Sequence, residues 1–112
     1  MLISVAGPYL AETEEKRRQN LKAMNAAAAK VYLKVHIPVI GNNAVLFVAD
    51  ELDSSIRRDA LNEISFAVVQ KCDAIHIIGS FPGTDIERRI IEEKGLQVYY
   101  SVDDIPKNNK SI

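Results

Sequence analysis

The residues of this 112-residue chain that could do chemistry are a glutamate, a tyrosine and three glycine-marked turns. The run Gly79-Ser80-Phe81-Pro82-Gly83-Thr84 is the richest turn. Its glycines allow close backbone approach, Ser80 and Thr84 offer hydroxyls, and a helix starting at Thr84 would present unpaired amides to a phosphate or carboxylate. Glu87 follows on the first turn of that helix, where the dipole favours its ionised form and a lowered pKa. A carboxylate so placed can act as a nucleophile. Thr84-Asp85-Ile86-Glu87 also fits a capping box, in which the glutamate only returns a hydrogen bond to the helix start. On those four residues alone the capping box is favoured. The other turns are Gly7-Pro8-Tyr9 and Gly41-Asn42-Asn43. The lysine and spacing of a nucleoside-triphosphate loop are absent, and so is a G-x-G-x-x-G run for a dinucleotide.

The elements that must position these turns can be read from periodicity. Leu2 to Ala6 is a short apolar strand closed by Gly7-Pro8. From about Glu12 to Lys34 no glycine or proline interrupts a helical pattern that sets Leu21, Met24, Ala28, Val31 and Tyr32 on one face. Its charged start, Glu14 to Arg18, reads as a solvated face with a Glu14–Arg18 pair. Asn20 either buttresses the Gly7 turn or is solvated. His36 to Ile40 is a second strand whose Pro38 puts it at an edge. Ala44 to Asp53 reads as a loop with a helical turn. Ser54 or Ser55 to Lys71 is a helix with Leu61, Ile64 and Val68 inward.

The apolar run Asp73 to Gly79 suits a central parallel strand covered on both sides. The last helix, from Thr84, turns Ile86, Ile90 and Ile91 inward and stops at Gly95, before a final strand at Gln97 to Tyr100. This order predicts a single α/β domain over 1–105, a parallel sheet flanked by helices on both faces in the flavodoxin/Rossmann-like manner, and a flexible tail over 106–112. Ligands of such sheets bind beyond the carboxyl ends of the strands, where the three turns converge.

Composition narrows the partners. Fourteen basic and 15 acidic side chains leave a net charge of -1, without the positive field that gathers nucleic acid or anionic membrane. No apolar run approaches the roughly 18 residues needed to span a bilayer, and no signal segment opens the chain, so a soluble cytoplasmic protein is expected. One cysteine and two histidines give neither an internal disulfide nor the usual zinc site, so no metal is expected. Cys72 reads as a small core side chain, His76 as a buried hydrogen-bonded histidine, and His36 as a cap for carbonyls.

The first strand ending in Gly7-Pro8-Tyr9, Asn20 on an alanine-rich helix, Cys72-Asp73-Ala74 entering a strand, and Gly83 followed by Glu87 together resemble the nucleoside 2-deoxyribosyltransferase-like superfamily, from about Leu2 to Tyr100. That superfamily includes transferases that exchange bases on deoxynucleosides and hydrolases that release bases from nucleoside 5'-monophosphates. The resemblance implies that Glu87 is the nucleophile and Tyr9 its orienter. Gly7, Pro8, Asn43, Ser80, Gly83 and Thr84 would contact substrate, no cofactor is used, and the chain forms a homodimer or larger homo-oligomer.

Three departures stand out. Ser65 occupies the place where the family usually carries an aspartate, and serine cannot be the acid that protonates a departing base; Asp59, Glu63 and Asp85 are the substitutes the sequence offers, none at the matching place. Arg88 and Arg89 replace small residues after the nucleophile, where they could close the pocket or reach a phosphate. Phe81 stands where deoxynucleoside-specific members tend to be acidic, which tilts the expectation towards nucleotides. The alternatives are a catalytically silent nucleotide-binding or sensing module and a purely structural partner subunit.

Overall fold

The computed structural model describes residues 1–79 and 81–108. Strands β1 (Leu2–Ala6), β2 (Ile37–Val39), β3 (Ala74–Ile77) and β4 (Gln97–Tyr99) form one parallel sheet in the order β2-β1-β3-β4. The chain leaves β1 for one edge, crosses back over it to β3, and continues to the other edge. The topological switch therefore lies between β1 and β3, and the expected flavodoxin/Rossmann-like α/β arrangement is what the chain adopts.

Alternation along the two central strands divides the core. Ile3, Val5 and Ala74 pack with Met24 and Val31 of α1 (Glu14–Leu33). Ala6, Ile75 and Ile77 face the other way, onto Val69 of α3 (Ser54–Gln70) and Ile91 of α4 (Pro82–Glu93). Each large apolar side chain buried in these layers contributes about 1.5–3 kcal/mol, whereas the exposed Glu14–Arg18 pair at 3.7 Å belongs to a class worth about 0–1 kcal/mol. Helix α1 is capped by Thr13, whose hydroxyl accepts the Lys16 N–H at 3.1 Å. Asp73 fastens the seam of the two central strands: its carboxylate accepts the Leu2 N–H at 2.8 Å, and its own N–H donates to the Leu2 carbonyl at 2.7 Å.

Three expectations need correction. Gly41-Asn42-Asn43 is the first turn of a helix, α2 (Gly41–Asp50), which also replaces the loop expected from Ala44. The segment has no clean period of its own, but it packs on α3 and buries Val45, and packing overrides weak propensity. Tyr32 is 58% exposed rather than on the core face of α1. Ile86 is 42% exposed, because α4 begins at Pro82 and its inward stripe falls elsewhere.

The plain readings of three residues hold. His76 is buried with Nδ1 3.1 Å from the Tyr99 carbonyl oxygen. Cys72 is buried, its thiol donates to the Val68 carbonyl at 3.3 Å, and burial pushes its pKa up to about 11. His36 places Nε2 2.6 Å from the Pro106 carbonyl oxygen. The Asn108 N–H likewise donates to the Lys34 carbonyl at 2.9 Å. Residues 109–112 of the expected tail lie outside the described residues. Among the described residues no helix is long and apolar enough to cross a membrane.

Candidate active site

A cleft of about 480 Å³, counted to its open mouth, lies at the carboxyl ends of β1 and β3. Its walls are the turn after β1 with Tyr9, the start of α2 with Asn42, Ser65 and Phe66 of α3, and α4 with Glu87. The water-accessible interior is only about 50 Å³. A water needs roughly 10–15 Å³, so the interior suits a few waters, and a nucleoside-sized ligand must displace lining side chains.

The first turns of α1 hold the Tyr9 wall. Asn20 Nδ2 donates to the Tyr9 carbonyl at 3.1 Å, which settles Asn20 as a buttress, and Arg17 Nη1 donates to the Ala11 carbonyl at 2.6 Å. Gly7 is required here by close approach: a Cβ at this position would lie 2.6 Å from Ile78 Cγ1. Tyr9 therefore projects from a turn fixed to both α1 and the end of β3.

Glu87 owes its setting to where α4 starts. Pro82 takes the first helical position, Phe81 is the N-cap, and the Thr84 hydroxyl accepts the Phe81 N–H at 2.9 Å while donating to the Phe81 carbonyl at 2.6 Å. The helix start is thus closed by Thr84, and the capping-box reading of Glu87 does not hold. Counting from Pro82, Glu87 lies in the second turn, on the stripe that carries the buried Thr84 and Ile91. The dipole acts mainly within the first turn, so burial decides the carboxyl's ionisation. Desolvation raises its pKa to about 7, the reverse of the lowering that a first-turn position predicts. Near neutrality the group divides between carboxylate and acid.

Of the residues expected to form the site, Gly7, Tyr9, Gly83, Thr84 and Glu87 line this cleft together. The Thr84 hydroxyl is occupied by Phe81. Pro8 packs beside Gly79, and Asn43 lies in the neighbouring groove, its Nδ2 donating to Asn25 Oδ1 at 2.9 Å. Ser80 lies outside the described residues. Arg88 is paired with Asp85 at 3.8 Å and Glu92 at 3.1 Å and borders a different groove; Arg89 is exposed. No lysine or arginine lines the cleft among the described residues.

Sequence reasoning placed the Gly41-Asn42-Asn43 turn at the site but chose Asn43 rather than Asn42 as the contact, and it missed the Phe66 wall. The missed signal is the spacing Leu61, Ser65, Val69, one step off the apolar set Leu61, Ile64, Val68; it buries Ser65 and Val69 most deeply. No protein-family model matches the chain, and no curated protein matches it.

Proposed function

We propose that the protein cleaves or transfers the N-glycosidic bond of a nucleoside or nucleoside 5'-monophosphate in the cytoplasm. Ionised Glu87 attacks the anomeric carbon as the base leaves, and water or a second base resolves the glycosyl ester with overall retention. Tyr9, from the turn after β1, orients the carboxylate, and Phe66 and Phe81 offer flat apolar surface to a heterocycle. The observation that carries the reading is Glu87 itself: released from helix capping, it lines, together with Tyr9, the crevice at the switch point. The resemblance of the Gly7-Pro8-Tyr9 and Gly83 to Glu87 motifs supports the same roles.

A catalytically silent nucleotide-binding module is the second reading. Ser65 favours it, because a serine hydroxyl cannot protonate a leaving base. Incubation with a panel of nucleosides and nucleoside monophosphates, followed for free base, separates the two. The enzyme releases base, and Glu87→Ala abolishes release while binding persists. Binding without release by the wild type leaves the module.

A further inference from the structure

Ser65 has a second peculiarity. Its side chain is 4% exposed, it lines the cleft, and its hydroxyl has no hydrogen-bond partner among the described residues. A buried hydroxyl without a partner costs about 1–3 kcal/mol; among the described residues Ser4 carries another, within the sheet, and Ser65 is the one of the two that lines the cleft, where a ligand could take its hydrogen bond. The amino end of α2 stands directly against it. A Cβ on Gly41 would come within 3.0 Å of Ser65 Cβ and 3.2 Å of its Oγ, so only glycine lets the helix start this close. Ile40 caps α2 with no side-chain hydrogen bond, and Gly41 and Asn42 line the same cleft. The first amides of a helix lack intrahelical acceptors and carry its positive end. This wall of the cleft therefore offers a hydroxyl and helix-start amides, all able to donate.

We propose that Ser65 and the start of α2 form a leaving-group site that receives the departing heterocycle as an anion, in place of an acid that would protonate it. The proposal rests on the glycosidic reading above and names its substrate class: nucleosides or nucleotides of oxo-bases, with hypoxanthine as the type and adenine as the disfavoured counterpart of equal size. In the first step a Glu87 oxygen bonds to the anomeric carbon while the carbon–nitrogen bond breaks, its electron pair leaving on the heterocycle and spreading to the exocyclic oxygen. Donors at Ser65 and α2 stabilise that oxygen as charge builds. In the second step water adds to the anomeric carbon, the Glu87 carboxylate is restored, and the water's proton passes to the released base. Adenine presents an amino group to the same donors and leaves poorly without protonation.

Two measurements test this. Wild type is expected to release hypoxanthine from inosine 5'-monophosphate or inosine at least tenfold faster than adenine from the matching adenosine compound. Ser65→Ala should lower kcat for hypoxanthine release by about a hundredfold, the loss seen when one donor to a developing oxyanion is removed. The same variant should act nearly normally on a nitrophenyl glycoside, whose leaving group needs no such help, and a merely structural role for Ser65 would not produce that difference. Separately, free hypoxanthine should bind Glu87→Gln protein more tightly than adenine does, increasingly so as pH rises and the heterocycle ionises, and Ser65→Ala added to that protein should remove the preference. Ser65→Ala should fold, since it deletes an unpartnered hydroxyl.

Equal release of both bases, unaffected by Ser65→Ala, overturns the leaving-group site and leaves the glycosidic reading standing. No release of any base, with Ser65-dependent preference for hypoxanthine intact, overturns Glu87 as nucleophile and the leaving-group role while upholding the site as one that recognises an oxo-heterocycle. Absence of both release and preference overturns the site outright.

Discussion

At the scale of single residues, the ionisation of Glu87 is the property with the most consequences. A nucleophilic carboxylate whose pKa is about 7 gives a kcat/KM that rises with pH through that value and flattens above it. The same shift bears on stability with the opposite sign from a salt-bridged acid. The folded state holds a proton that the unfolded chain has lost at the ordinary value of 4.5, so stability falls as pH rises from about 4.5 to about 7, and the penalty is complete above that. Glu87→Gln is therefore expected to be more stable than wild type at pH 8, by about 2 kcal/mol, with the gap closing towards pH 4 in denaturant titrations. If Tyr9 orients the Glu87 carboxylate as proposed, Tyr9→Phe removes a hydrogen bond to a charged group, a class worth about 1.5–3 kcal/mol, and should lower kcat by roughly 10- to 100-fold with little change in substrate affinity. The glycine-rich run and the order of motifs made Glu87 and Tyr9 legible as residues of the candidate site, and both line the cleft. The ionisation of Glu87 was not legible, because it depends on where the helix starts and which face is buried: the start at Pro82 moves the carboxylate out of the first turn, and packing buries the stripe of Thr84 and Ile91, on which Glu87 lies, rather than Ile86. Pro82 was itself the clue, since proline favours the first helical position.

Helix ends are the informative features at the next scale. Two helices finish with a residue in the left-handed conformation: Gly95 after α4, with φ of 72°, and Val35 after α1, with φ of 66°. Glycine adopts that conformation freely, whereas a β-branched side chain there is strained by about 1–2 kcal/mol. Val35→Gly is therefore expected to raise the midpoint of thermal unfolding by several degrees, and Gly95→Ala to lower it, both measurable by calorimetry. Gly95 was readable in advance as a stop, because the residue type and the conformation agree. Helix α2 was hidden for the converse reason: Gly41, Asn42 and Asn43 are turn formers by type, and only burial of Val45 against α3 makes them helical. That concealed helix brings Asn42 to the cleft and takes Asn43 away from it.

Across the whole molecule, sheet order and exposed surface set the expectations. The division of the core into two layers and the position of the crevice followed from the succession of strands and helices, since a parallel sheet with this chain order admits few alternatives. Oligomeric state is a matter of surface rather than pattern. Phe47 is 85% exposed and Val48 48% exposed, and Phe47 shares a groove with Tyr9. A homodimer formed through this region is the assembly we propose, and sedimentation should find wild type dimeric and Phe47→Glu monomeric. Dissociation that left base release unchanged would show that each chain carries a complete site.

Gly7 and Ile78 leave no slack between the turn that bears Tyr9 and the end of β3. Such a contact links the histories of two positions: neither can grow unless the other shrinks. Gly7→Ala alone should both weaken the fold and impair the site, and Ile78→Ala beside it, which removes the γ-carbon that valine would keep, should relieve the clash and cost less than the two single changes summed, so that in any set of natural variants the pair changes in concert or stays as it is.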